Sequence, residues 1–81
     1  MSETEVTEAA QVNSVLSYIP HECRVSMATP GIGNGAIRRA IKARTGKGIS
    51  AREVNDARRD KLAGVLAVAA RFGYRPANER S

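Results

Sequence analysis

Apolar positions along this chain change period several times, and each change marks an element. Val12, Val15, Leu16 and Ile19 fall at i, i+3, i+4 and i+7, one stripe on a 3.6-residue repeat, which predicts a first helix over about 7–19. Pro20 ends it, since proline has no N–H to donate and its ring crowds the preceding turn. Cys23-Arg24-Val25-Ser26-Met27 alternates apolar with polar residues, the period of a half-buried strand, and predicts a short strand over 23–27. Thr29-Pro30-Gly31-Ile32-Gly33-Asn34-Gly35 then interrupts regular structure, with Asn34 placed to cap a second helix over about 35–45.

In that second helix Ile37, Ala40 and Ile41 form the apolar stripe, and Arg38, Arg39 and Lys42 point away from it. Gly46-Lys47-Gly48 ends the helix and Ile49 is an apolar anchor. Ser50, with Glu53 three residues on, forms a Ser-x-x-Glu capping box that starts a third helix over about 50–62. Its inward side carries Val54, Ala57 and the stem of Lys61, and its outward side carries Arg52, Asn55, Asp56 and Arg59. The run Gly64-Val65-Leu66-Ala67-Val68-Ala69-Ala70 is apolar throughout, so periodicity alone assigns it to neither strand nor buried helix. Alanine favours helix. Gly64 at a helix end, the boundary Arg71-Phe72-Gly73 and a returning Tyr74-Arg75-Pro76 favour a hairpin. The reading over 64–76 is therefore a hairpin or a fourth helix, with the hairpin preferred. Residues 1–6 read as a flexible acidic N-terminus, 7–76 as one domain and 77–81 as a flexible tail.

The length of 81 residues allows one thin-cored domain, since chains of this size bury only about 60% of the surface their unfolded form exposes. With three aromatics and no tryptophan, Ala, Val, Ile and Leu must fill that core. Charge changes the picture more. The net +5 is uneven: Glu3, Glu5 and Glu8 precede every Lys and Arg, and from residue 11 onward 13 basic residues face five acidic ones, a net +8. Such a surplus points to a polyanionic partner, because counterion release from phosphates rewards clustered Lys and Arg. The alternative is a solvated surface that keeps a small protein in solution.

Candidate chemistry is sparse. Cys23 is the lone cysteine, so the chain forms no internal disulfide, and with His21 it does not make up a zinc-ligand set. A nucleophile also needs an orienting group and an oxyanion hole, so no enzyme and no cofactor is expected. Gly46-Lys47 lacks the upstream glycine and following Ser or Thr of a P-loop, whose places hold Ile41 and Gly48. Gly31-Ile32-Gly33-Asn34-Gly35 lacks the spacing of a dinucleotide fingerprint. No apolar run reaches the ~18 residues of a membrane span, and the N-terminus is acidic where a signal peptide is basic, so a cytoplasmic protein is expected.

Gly48-Ile49-Ser50-Ala51-Arg52-Glu53-Val54 resembles the turn and recognition-helix start of helix-turn-helix proteins: Gly, an aliphatic, Ser, three variable residues and Val. Glycine permits the turn, the aliphatic plugs the gap between helices, serine caps the second helix and valine packs it on the first. The order helix, short strand, helix, helix, apolar run and Gly73-Tyr74-Arg75 is similar to the winged variety, and the resemblance spans roughly residues 10–76. One departure is Thr45-Gly46-Lys47-Gly48, a longer turn than the tightest units of that family have.

The resemblance implies a duplex-DNA partner, with the third helix in the major groove. Arg52 and Arg59 would reach guanine, Asn55 adenine, and Asp56 a cytosine amine or a neighbouring arginine. Arg38, Arg39, Lys42, Lys47 and the Ser50 end of the helix would meet phosphates, and Arg71 and Arg75 on the wing would reach a neighbouring phosphate or the minor groove. A surface this small reads few base pairs, so a homodimer is expected, joined by the first helix or by Val65, Leu66 and Val68. The function implied is a small repressor or accessory DNA-binding factor, of the kind phages and plasmids carry. Other readings are a merely solvated third helix with Arg52 paired to Asp56, a module docking a polymerase or regulator, and RNA binding. For RNA, Tyr18, Phe72 and Tyr74 make a poor stacking platform.

Overall fold

A computed structural model describes residues 3–75, with side chains from Ala9 onward. Five helices follow one another: α1 (Glu3–Leu16), α2 (His21–Ala28), α3 (Asn34–Thr45), α4 (Ala51–Arg58) and α5 (Leu62–Arg71). The tail 77–81 and the first two residues lie outside the described residues. No described helix is long and apolar enough to cross a membrane.

The first helix starts four residues earlier than its apolar stripe required, and Val12, Val15 and Ile19 are buried as that stripe predicted. Ile19 reaches the core from a tight turn in which Ser17, Tyr18 and Ile19 donate to the carbonyls three residues back. Pro20 both ends this turn and opens α2, since its carbonyl accepts from the Arg24 N–H at 3.1 Å.

The strand expected over 23–27 is a helix. Cys23 and Met27, four apart, are buried on one side of α2, whereas Val25, the middle apolar residue of the apparent alternation, is 49% exposed. In so short a segment, two inward residues at i and i+4 with one exposed valine between them imitate a period of two. The N-cap of α3 is likewise corrected: Gly33 occupies it, and Asn34 is the first helical residue.

Over 64–71 the chain is the helical alternative, and among the described residues, which stop before Pro76, there is no strand and hence no wing. Gly64, expected as a helix terminator, is the third residue of α5 and is buried. It sits where α5 crosses α4, and a Cβ there would lie 2.3 Å from the Ala57 nitrogen. Gly73, which read as a hairpin turn, closes α5 instead. At φ 102° it donates to Ala70 O at 3.1 Å while Tyr74 N–H donates to Ala69 O at 3.0 Å, a Schellman stop. Val65 and Val68 are fully buried and Leu66 is half-buried, so the run once available for a dimer contact is core instead. Tyr74 folds back beside the turn that follows α1, its ring 4.7 Å from that of Tyr18.

The helix expected over 50–62 ends at Arg58, and Lys61, placed inward by the sequence, is the exposed N-cap of α5. The stop is again a Schellman motif: Asp60 N–H donates to Ala57 O at 3.0 Å and Lys61 N–H to Asp56 O at 3.0 Å. Here the left-handed residue is Asp60, at φ 61°. A side chain in that region is strained, and a carboxylate beside a helix C-terminus is electrostatically unfavourable. Asp60→Gly should therefore raise unfolding free energy by about 1 kcal/mol in urea titration. An unchanged or lowered value would mean that the Asp60 side chain contributes something its exposed position does not reveal.

Candidate nucleic-acid interface

The turn between α3 and α4 is held from both sides. Helix α3 stops where Gly46, at φ 76°, donates to Lys42 O at 2.8 Å, and Thr45 Oγ1 accepts from the Lys47 N–H at 3.1 Å. Ile49 is 5% exposed and plugs the space beneath the turn, as the motif expected. Its carbonyl accepts from Arg38 Nε at 2.8 Å, and the Gly48 carbonyl accepts from Arg71 Nε at 3.0 Å. A turn with two glycines, loose by composition, is thereby clamped by one arginine from α3 and one from α5.

Ser50 caps α4 as the capping box predicts. The Glu53 N–H donates to Ser50 Oγ at 3.1 Å, and the Ser50 N–H donates to Glu53 Oε1 at 3.2 Å. The N-terminus of α4 therefore already holds a carboxylate, and a phosphate arriving there has to compete with it.

Within α4, Val54 and Ala57 are buried and Arg52 and Asn55 are exposed on the opposite side, and Arg59, the C-cap residue just past the helix, is exposed as well. Asp56, grouped with them by the sequence, is half-buried at the flank that meets α5, its Cβ close to Gly64. Arg52 and Asp56 form no ion pair: the ion pairs among the described residues are Arg44–Glu22 and Arg71–Glu53. The first is largely solvent-exposed and contributes little to stability.

Apart from exposed Lys61 and half-buried Arg24, whose buried Nε has no hydrogen-bond partner among the described residues, the basic side chains there divide into two groups. Arg39, Lys42, Lys47, Arg52, Arg59 and Arg75 are exposed and bond no described residue through their side chains. Arg38, Arg44, Arg58 and Arg71 are engaged with the protein itself. Arg71 and Arg75, expected on a wing, stand instead at the end of α5 and just beyond it.

Arg58 is the residue the sequence reading missed. Its guanidinium donates to Met27 O at 2.9 Å, Thr29 O at 2.8 Å, Ile32 O at 2.6 Å and Asn34 Oδ1 at 2.9 Å, locking the α2–α3 loop against α4. The available signal was its position four residues after buried Val54, on the inward edge of the helix.

Cys23 and His21 share no hydrogen bond among the described residues. Cys23 is buried, and burial pushes its thiol upward against a smaller lowering effect of Arg44, while His21 is exposed at the start of α2. Between α2 and α3 runs a groove of about 410 Å³, lined mainly by apolar side chains that include Cys23, Ala36, Ala40 and Ile41. No protein-family model, no curated protein and no solved structure matches this chain.

Proposed function

We propose that the chain binds duplex DNA as a helix-turn-helix module, with α3 and α4 as the two helices and α4 as the one that enters the major groove. The observation that carries this is the face of α4. Arg52 and Asn55 project from a capped, core-anchored helix and Arg59 from its C-cap, and none is used by a described neighbour. Arginine donates two bonds to guanine O6 and N7, and asparagine pairs with adenine N6 and N7, so this set suits reading bases. Arg39, Lys42 and Lys47 supply flanking phosphate contacts, and Arg75 a more distant one. Arg38, Ser50 and Arg71 act first on the turn and the cap, and Asp56 stands at the edge of the reading face. In this reading the protein is a dimeric repressor or accessory factor in the cytoplasm, and the exposed side of α1 takes the dimer contact that the buried α5 run does not offer.

A second reading, docking of a protein partner, is favoured by the apolar α2–α3 groove. The two separate cleanly on salt. Anisotropy of a labelled mixed-sequence duplex should show affinity falling log-linearly with salt, and Arg52→Ala/Arg59→Ala should weaken binding about 30-fold or more, each lost base contact being worth about 1–3 kcal/mol. Absence of binding at low salt would remove the DNA reading and turn attention to the groove.

A further inference from the structure

Resting on the reading of α4 as the DNA-contacting helix, we infer that Arg71 is a positioning residue: it fixes the N-terminal end of α4 from α5 and meets no phosphate itself. Three of its nitrogens are committed. Nε donates to Gly48 O at 3.0 Å, one terminal nitrogen to Ala67 O at 3.2 Å and the other to Glu53 Oε1 at 3.4 Å. The bond to Ala67, one turn back on α5, fixes the side chain in place; the other two reach across to the turn and to α4.

The same Glu53 oxygen accepts from the Ser50 N–H and Oγ, both at 3.2 Å. A continuous set of bonds thus runs from α5 through Arg71 and Glu53 to the cap of α4. Arg38 holds the next carbonyl, Ile49 O, from α3. Two successive carbonyls of the turn are therefore gripped from two different helices, which sets where α4 begins and how Arg52, one residue into it, is presented. The Arg71 side chain is 25% exposed, and turning it to a phosphate would release Gly48 and leave Glu53 uncompensated beside the incoming polyanion. Geometry is what this role requires: a planar fork reaches three acceptors, and a lysine ammonium on its flexible stem does not.

The test compares the full-length wild type with Arg71→Ala and Arg71→Lys, by duplex anisotropy over a salt series and by amide hydrogen exchange without DNA. Both variants should bind roughly tenfold more weakly at every salt concentration, because a loosened surface loses preorganisation, while the slope of log affinity against log salt stays at the wild-type value. Amides of residues 49–54 should exchange on the order of tenfold faster in both. Recovery of wild-type affinity in Arg71→Lys, or a slope flattened by about 0.9 in Arg71→Ala, would identify a phosphate contact and overturn the inference. If Arg71→Ala does not fold, Arg71→Lys decides by the same two readouts. If the wild type binds no duplex, the DNA reading falls by itself, and unchanged protection over residues 49–54 would then overturn the tether.

Discussion

Gly64→Ala is expected to destabilise the fold by about 3 kcal/mol, lowering the melting temperature on the order of 15 °C for a chain of this size. The sign is opposite to what helix propensity gives, since alanine in an ordinary helix interior gains about 1 kcal/mol over glycine. Two backbones decide the matter. A Cβ at Gly64 would lie 2.3 Å from the Ala57 nitrogen and 2.6 Å from the Asp56 carbonyl carbon, and neither atom can swing aside as a side-chain tip would. Helices α4 and α5 would have to separate, unpacking Val54, Val65 and Val68, all of them fully buried. Urea titration with thermal melting checks this. A variant as stable as wild type would mean that the two helices do not cross at this separation.

Arg58→Ala should cost about 3 kcal/mol or more. Four acceptors, from the end of α2 through the loop to the first residue of α3, lose a charged donor, and those inside the fold find no replacement in water. Against a total stability on the order of 5–10 kcal/mol that is a severe loss. Arg58→Lys should recover less than half of it, because one ammonium does not span Met27, Thr29, Ile32 and Asn34 together. Urea titration of the three proteins tests this. A fully stable Arg58→Lys would show that charge at the end of α4, favourable to the helix dipole, is what matters rather than the fork.

What could be read in the sequence was what is determined locally. The Ser50–Glu53 capping box, the glycine stop after α3 and the apolar stripes of α1 and α3 depend on neighbours within one or two turns and appear in the structure, except that Ala40, read into the α3 stripe with Ile37 and Ile41, is exposed. The errors have a common physical source. Cys23 to Met27 is too short for period two and period 3.6 to be told apart, and α2 is held mainly by its neighbours and by Arg58. Gly64 and Gly73 both read as chain breaks. One is a packing requirement set by α4, which lies elsewhere in the chain, and the other stops a helix rather than turning a hairpin. Asp60 had no glycine to announce a left-handed stop, so α4 seemed longer than it is.

The candidate site was legible in part. Arg52 and Asn55 share an exposed face of α4, as 100° per residue requires, and Arg59 is exposed at its C-cap, where the helix has already stopped. Asp56 was drawn toward that face by the same angular argument but lies at its α5 edge. The basic residues looked alike in sequence because exposure and engagement are tertiary properties. Arg38, Arg58 and Arg71 are spent on backbone carbonyls 11 to 31 residues away, which no local pattern encodes.

Whether the outward face of α4 meets the duplex is decided by an amide shift map of the isotopically labelled protein during titration with a mixed-sequence duplex at low salt. Shifts should concentrate at Arg52, Asn55 and Arg59, extend to Arg39, Lys42 and Lys47, and leave the α2–α3 groove unmoved. Shifts confined to that groove, or to α1 and α2 with α4 silent, would contradict that contact.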